Sequence, residues 1–209
     1  QGFVDQRFAC GFPVPTYEAW WWRQSELGAY RHYADMLRLI GLNDRRRWLL
    51  KNPHHLFHMD ALFDVFPDAC VIQTHRDPVK VMPSITKLIS TSQRLFVGDN
   101  GRPMLVGASE TYKWFHAILR SEGVRRQHED QYLDVLHRDF LADPIGAVKK
   151  IYDRFGLELS DASETRMRAW LADQKPEQKH GHRYQASTFG LSEDGLREMF
   201  ADYIQRYDL

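Results

Sequence analysis

With 28 basic and 28 acidic side chains among 209 residues, the chain is neutral overall and offers no global attraction for nucleic acid or an anionic membrane. The length suits one well-buried core, so residues 1–209 are expected to form a single domain. No run of 18 apolar residues is present to span a membrane as a helix, the opening QGFVDQRFACGFP is not laid out as a signal peptide, and Cys10 and Cys70 are the only cysteines; a cytoplasmic protein is expected.

Residues 1–24 are rich in aromatics, among them Phe3, Phe8, Phe12, Tyr17 and Trp20–Trp22, with Pro13 and Pro15 breaking any long helix. Such side chains either pack a core or wall an acceptor pocket. The spacing of Leu27, Tyr30, Ala34 and Leu37 predicts a helix over 25–40, stopped by Gly41. Arg45–Arg47 then form a charged turn that reads as a solvated face.

The stretch from 47 to 84 is the most informative. Arg47–Lys51 reads as a short strand ending in a cation; Asn52 offers a cap and Pro53 a helix start. Leu56, Met59, Phe63 and Phe66 then recur at helical period until Pro67. Ala69–Gln73 reads as a second strand, closed by His75 and Arg76, with Asp77 as cap and Pro78 as helix start; Cys70 is expected to be buried in it. Strand, helix and strand make a right-handed βαβ unit, whose ligands collect beyond the carboxyl ends of the strands. Both strands deliver a cation to that edge, Lys51 and Arg76, while Lys80, Ser84 and Lys87 share one face of the following helix. An Arg fork, a hydroxyl and a helix start together suit a phosphate.

Beyond Phe96, VGDNGRPMLVG reads as a loop, followed by a helix over about 108–128. Tyr132–Leu136 is predicted as a strand; His137–Ala142 leads to Asp143–Pro144, again a cap and a first helical position. The tail holds a predicted helix at 161–173, the loop PEQKHGHRYQASTFGL, and a final helix near 194–206. Lys179, His180 and Gly181 form a basic, Gly-containing piece that can approach an anion closely.

The ordered set W-L-L-K-x-P-x-H-L, F-P-D-A-x-V-I-Q-T-H-R-D-P and V-x-P-S, at residues 48–84, resembles the bacterial branch of the sulfotransferases that use 3'-phosphoadenosine 5'-phosphosulfate. The resemblance runs on to the C-terminus. It implies an α/β fold, a P-loop-like parallel sheet flanked by helices, and transfer of a sulfuryl group to a hydroxyl or amine of a small acceptor, an alcohol, lipid or carbohydrate. In that family Arg76 and Ser84 would hold the 3'-phosphate, the Lys179–Gly181 piece would close over it, and Lys51 and His55 would serve the reaction centre. His55 would take the acceptor's proton, and Lys51 would neutralise charge on the leaving oxygen. The family's tyrosine after the third strand is His137 here. Its opening strand and phosphosulfate loop have no match, since Gly2, Gly11, Gly28 and Gly41 stand alone; the sequence reads as the C-terminal portion of such a domain, expected to be inactive by itself.

Two other readings compete. His54 and His58 lie one helical turn apart and invite a metal, although the H-E-x-x-H carboxylate is missing. A nucleotide-binding module without chemistry is the third. No G-x-S-x-G supports a serine nucleophile, and the sequence is silent on oligomeric state.

Overall fold

The computed structural model describes residues 12–44, 46–98, 102–174 and 185–209. Helix α1 spans Pro15–Trp21 and α2 Leu27–Ile40; a 3-10 turn, Pro53–Phe57, leads into α3, Met59–Val65. Strand β1 is Val71–His75, followed by the long helices α4, Pro78–Val97, and α5, Pro103–Arg125. Strand β2 is Tyr132–Leu136, with α6 (His137–Ala142), α7 (Pro144–Arg154) and α8 (Asp161–Asp173) after it. A 3-10 turn at Ala186–Phe189 precedes α9, Glu193–Met199, and α10, Ala201–Tyr207.

Helix starts follow the local chemistry closely. Asp77 accepts from the Val79 amide at 2.9 Å, Asp143 from Gly146 at 2.8 Å and Asn52 from His54 at 3.1 Å, each with Pro at the first helical position. The expected helix from Pro53 to Phe66 is instead broken at His58, whose φ of −143° ends the 3-10 turn and opens α3. The final helix is likewise two, parted at Phe200, which is pulled into a cluster with Met82 and Leu196. The expected loop at 97–107 is shorter, because Pro103 starts α5.

Among the described residues the sheet is only a parallel pair, β1 beside β2, in the register Val71↔Tyr132 through His75↔Leu136. The fold is therefore mostly helical around a small sheet, coarser than the expected flanked P-loop-like sheet. Arg47–Lys51 is not a strand: it makes no ladder, and Leu49 is 88% exposed. A strand exists only through a neighbour's hydrogen bonds, and among the described residues no strand pairs with this segment. β1 itself lies two residues later than Ala69–Gln73. The Gln131 amide donates to the Pro67 and Ala69 carbonyls at 2.8 and 2.9 Å, so a side chain replaces the ladder there. Cys70 accordingly lies outside β1 and is exposed, contrary to its expected burial.

Three packed clusters carry the core. Tyr30, Met59, Leu62, Phe63 and Tyr132 join α2 and α3 to β2. Trp21, Phe57 and Ala117 join α1, the 3-10 turn and α5. Met82, Leu196 and Phe200 fix the C-terminal helices on α4 and α5. Gly107 lets α5 meet the Phe189 carbonyl, which a Cβ would approach to 2.2 Å.

Candidate functional site

The carboxyl edge of the strand pair gathers the cations. His75 is opposite Leu136, so the next residues, Arg76 and His137, leave adjacent strand ends side by side. His137 is half-buried, and its imidazole is held below its usual range by burial and then by the positive fields of Arg76 and Lys80. The three groups therefore share one electropositive patch. Arg76 and Lys80 are exposed and make no ion pair among the described residues. The N-terminus of α4, a helix of 20 residues, adds its dipole and free N–H groups. Ser84 is exposed in the second turn of that helix, directly after the buried Pro83. Pro83 cannot bond the Val79 carbonyl, so this turn is built despite a local cost of about 3 kcal/mol. Lys179, His180 and Gly181 lie outside the described residues.

His55 stands on the 3-10 turn, two-thirds of a turn or so from Pro53. Its Nδ1 is 2.7 Å from the Tyr30 hydroxyl, and the rings of Tyr30 and Tyr33 lie 5.7 and 6.5 Å away. Burial lowers its pKa, so the ring is neutral at pH 7. Burial, with help from Glu26, raises the Tyr30 phenol far above its ordinary value, and it stays protonated. When Nδ1–H donates to the Tyr30 oxygen, Nε2 keeps its lone pair and can accept a proton. Tyr30 was legible only as a core residue of α2; nothing in the sequence tied it to His55. Lys51 is exposed, unpaired among the described residues, and sits just before the Asn52 cap.

The neighbouring histidines separate cleanly. The His54 ring meets Phe57 edge-on at 6.3 Å. His58 is buried, edge-on to Trp21 at 5.2 Å, and belongs to the break between the two helical pieces. The one-turn clamp that a continuous helix would give His54 and His58 is therefore not formed. Among the described residues no group of three or more His, Cys, Asp or Glu side chains is placed to hold a metal.

The aromatic N-terminal region divides by residue. Trp21 is core, hydrogen-bonded to Glu26 at 2.9 Å. Trp22 instead faces a groove of about 540 Å³ between α1 and α5, together with Pro15, Tyr112, His116 and Arg120. Beneath it Lys113 is buried between Glu18 and Glu110; burial works against its charge, and the carboxylates more than restore it. Arg46 of the basic run forks onto Asp44, as a solvated turn does.

The sulfotransferase family pattern matches residues 1–161. The chain belongs to the sulfotransferase family. It is 30% identical over 133 residues to the omega-hydroxy-beta-dihydromenaquinone-9 sulfotransferase Stf3 of Mycobacterium bovis, a match covering 62% of this chain and 34% of that protein. The crystal structure of the sulfotransferase STF1 of Mycobacterium tuberculosis superposes with a TM-score of 0.82 at 33% identity, covering 95% of this chain and 52% of that one. The sulfotransferase STF9 of Mycobacterium avium gives 0.91 at 24% identity, covering 99% and 53%, which bears on the fold alone. This family member thus spans about half the length of its solved relatives and about a third of the curated one. No described helix is long and apolar enough to cross a membrane.

Proposed function

We propose that the chain carries the 3'-phosphate site and the acceptor-activating group of a sulfotransferase. The observation that supports this most is the patch of Arg76, Lys80 and His137, unneutralised by ion pairs among the described residues and set at the start of α4. Such a patch suits a dianionic phosphate better than a carboxylate or a neutral ligand. When bound, 3'-phosphoadenosine 5'-phosphosulfate supplies the activated sulfuryl group, whose sulfur exchanges its bond to the 5'-phosphate oxygen for one to the acceptor. Arg76 and Ser84 hold the 3'-phosphate. Lys51 offsets charge on the departing oxygen. His55, neutral and oriented by Tyr30, takes the proton of the acceptor's hydroxyl or amine at Nε2.

The acceptor is read more coarsely. The name of the Mycobacterium bovis relative specifies a hydroxylated lipid quinone, and the groove beside Trp22 and Tyr112 has an aromatic wall. An apolar alcohol is the acceptor class to screen first. The assignment is tested by calorimetry with 3'-phosphoadenosine 5'-phosphate on the complete gene product. Arg76→Ala should weaken binding by roughly 1.5–3 kcal/mol, and Ser84→Ala by about 1 kcal/mol, without loss of fold. Unchanged affinity in both variants would remove the phosphate from this edge.

A further inference from the structure

The last residue of β1 is a histidine with no exposed surface at all, His75. Both ring nitrogens are engaged: Nδ1 is 2.8 Å from the Tyr203 hydroxyl and Nε2 is 2.7 Å from Asp134 Oδ1. The ring also stacks on Tyr207, with centroids 3.7 Å apart. Register explains the Asp134 contact. Asp134 is opposite Gln73, so it shares a sheet face with His75 as its diagonal neighbour. An ionised carboxylate only accepts, so Nε2–H donates to Asp134, while Nδ1 and the Tyr203 hydroxyl share the second hydrogen bond.

Asp134 is itself fixed. Burial works against its charge, but hydrogen bonds from His75 and Arg125 hold its carboxyl far below the usual range. Arg125 spends every N–H it has: two on Asp134, two on Glu129 and one on the Tyr207 hydroxyl. Tyr207 donates in turn to Glu122 at 2.6 Å. The network thus joins the end of β1 to β2, to the end of α5 and to α10. Asp77 caps α4 and faces Arg197 of α9 at 3.9 Å. Arg76 is therefore bracketed by two neighbours, each tied to a C-terminal helix, while its own guanidinium stays free of ion pairs among the described residues.

We infer that His75, clamped by Tyr203 and Tyr207 of α10 against Asp134, is the positioning residue that aims Arg76 at the 3'-phosphate. The inference rests on the assignment of Arg76 to that phosphate. A pre-set backbone spares the binding step the cost of ordering it, and the C-terminal helix becomes part of nucleotide recognition without touching the nucleotide. A packing role alone would not distinguish nucleotides that differ only in the 3'-phosphate.

The test compares the affinities of 3'-phosphoadenosine 5'-phosphate and adenosine 5'-phosphate, using the complete gene product. Tyr203→Phe keeps the ring and removes one hydroxyl; His75→Phe keeps the stack and removes both hydrogen bonds, and is read if its melt is cooperative. Arg76→Ala should reduce the preference for the 3'-phosphate by roughly ten-fold or more. Tyr203→Phe should reduce it by about three- to ten-fold, leaving the adenosine 5'-phosphate affinity as it was, and His75→Phe by more. In the Arg76→Ala background neither change should lower the preference further. If Arg76→Ala lowers the preference while Tyr203→Phe leaves it intact, or adds independently, the positioning role is wrong and the phosphate assignment stands. If Arg76→Ala changes nothing, the phosphate assignment itself fails and takes this inference with it.

Discussion

Replacing His58 by Leu should flatten the acid side of the stability curve, and the size follows from the site. His58 is 4% exposed, edge-on to Trp21, with Nε2 lacking any hydrogen-bond partner among the described residues. Burial, then the nearby Arg120, pushes its pKa down to about 4. In the unfolded chain the same ring titrates near 6.5. Below that value the unfolded state binds a proton that the folded state refuses, so stability is full above about pH 6.5 and falls as the pH drops toward about 4. Across that window the loss attributable to this one ring is about 3 kcal/mol, at about 1.4 kcal/mol per pH unit. Urea unfolding of wild type and His58→Leu at pH 7.5, 6.5, 5.5 and 4.5 isolates it, because other titrating groups cancel in the difference. From pH 7.5 to 4.5 wild type should lose about 2.5 kcal/mol more stability than His58→Leu, whichever of the two is the more stable at pH 7.5. Parallel curves would show that His58 is not a buried neutral ring, and would reopen its assignment as a ligand. Nucleotide affinity should be the same in both proteins.

The other expectations concern the reaction centre and the core beneath the groove. His55→Ala should lower single-turnover transfer by about 10²–10⁴-fold with little change in nucleotide affinity, and His54→Ala far less, because a 3-10 turn points adjacent residues about 120° apart. Tyr30→Phe should lower it by about ten-fold by releasing the Nδ1 tautomer; the wild-type rate should rise with pH through a value below 6.5, the direction in which burial moves His55. A rate set by a group titrating above 7 would contradict the His55 assignment. Lys113→Met should cost about 3–5 kcal/mol in urea unfolding, since it strands Glu110 and Glu18, and Lys113→Met with Glu110→Gln should recover part of the loss.

What could be read from the sequence was whatever depends on neighbours within a few residues. Asp77–Pro78 and Asp143–Pro144 cap helices because side-chain oxygen and amide are two or three residues apart. Asp161–Asp173 and Tyr132–Leu136 likewise stand where periodicity put them. The misread strand at Arg47–Lys51 has the opposite cause. Its apolar run is strand-like by composition, but a ladder needs a partner, and that partner is chosen by the rest of the sheet. The break at His58 is non-local too: a helical period continues through it, yet Trp21 and Phe57 draw the ring into a cluster with α1 and α5.

The candidate site divides along the same line. Arg76, Ser84, Lys51 and His55 are nominated by an ordered pattern that lies within 34 residues. The groups that orient them could not. Tyr30 is 25 residues from His55, and Tyr203 is 128 from His75, distances at which no periodicity speaks. Tyr30 shows in the sequence only as a member of an apolar helical face, where an aromatic ring is expected for its bulk alone, and nothing in the final helix singles out Tyr203. Their hydroxyls matter only after folding brings each within 2.8 Å of an imidazole. A histidine's chemistry is set by what holds its second nitrogen. So a motif can nominate His55 as a base, but the partner that holds its Nδ1 comes only from packing against α2. In the same way, a motif can nominate Arg76 as a phosphate ligand, while its aim depends on α10, more than 120 residues further on.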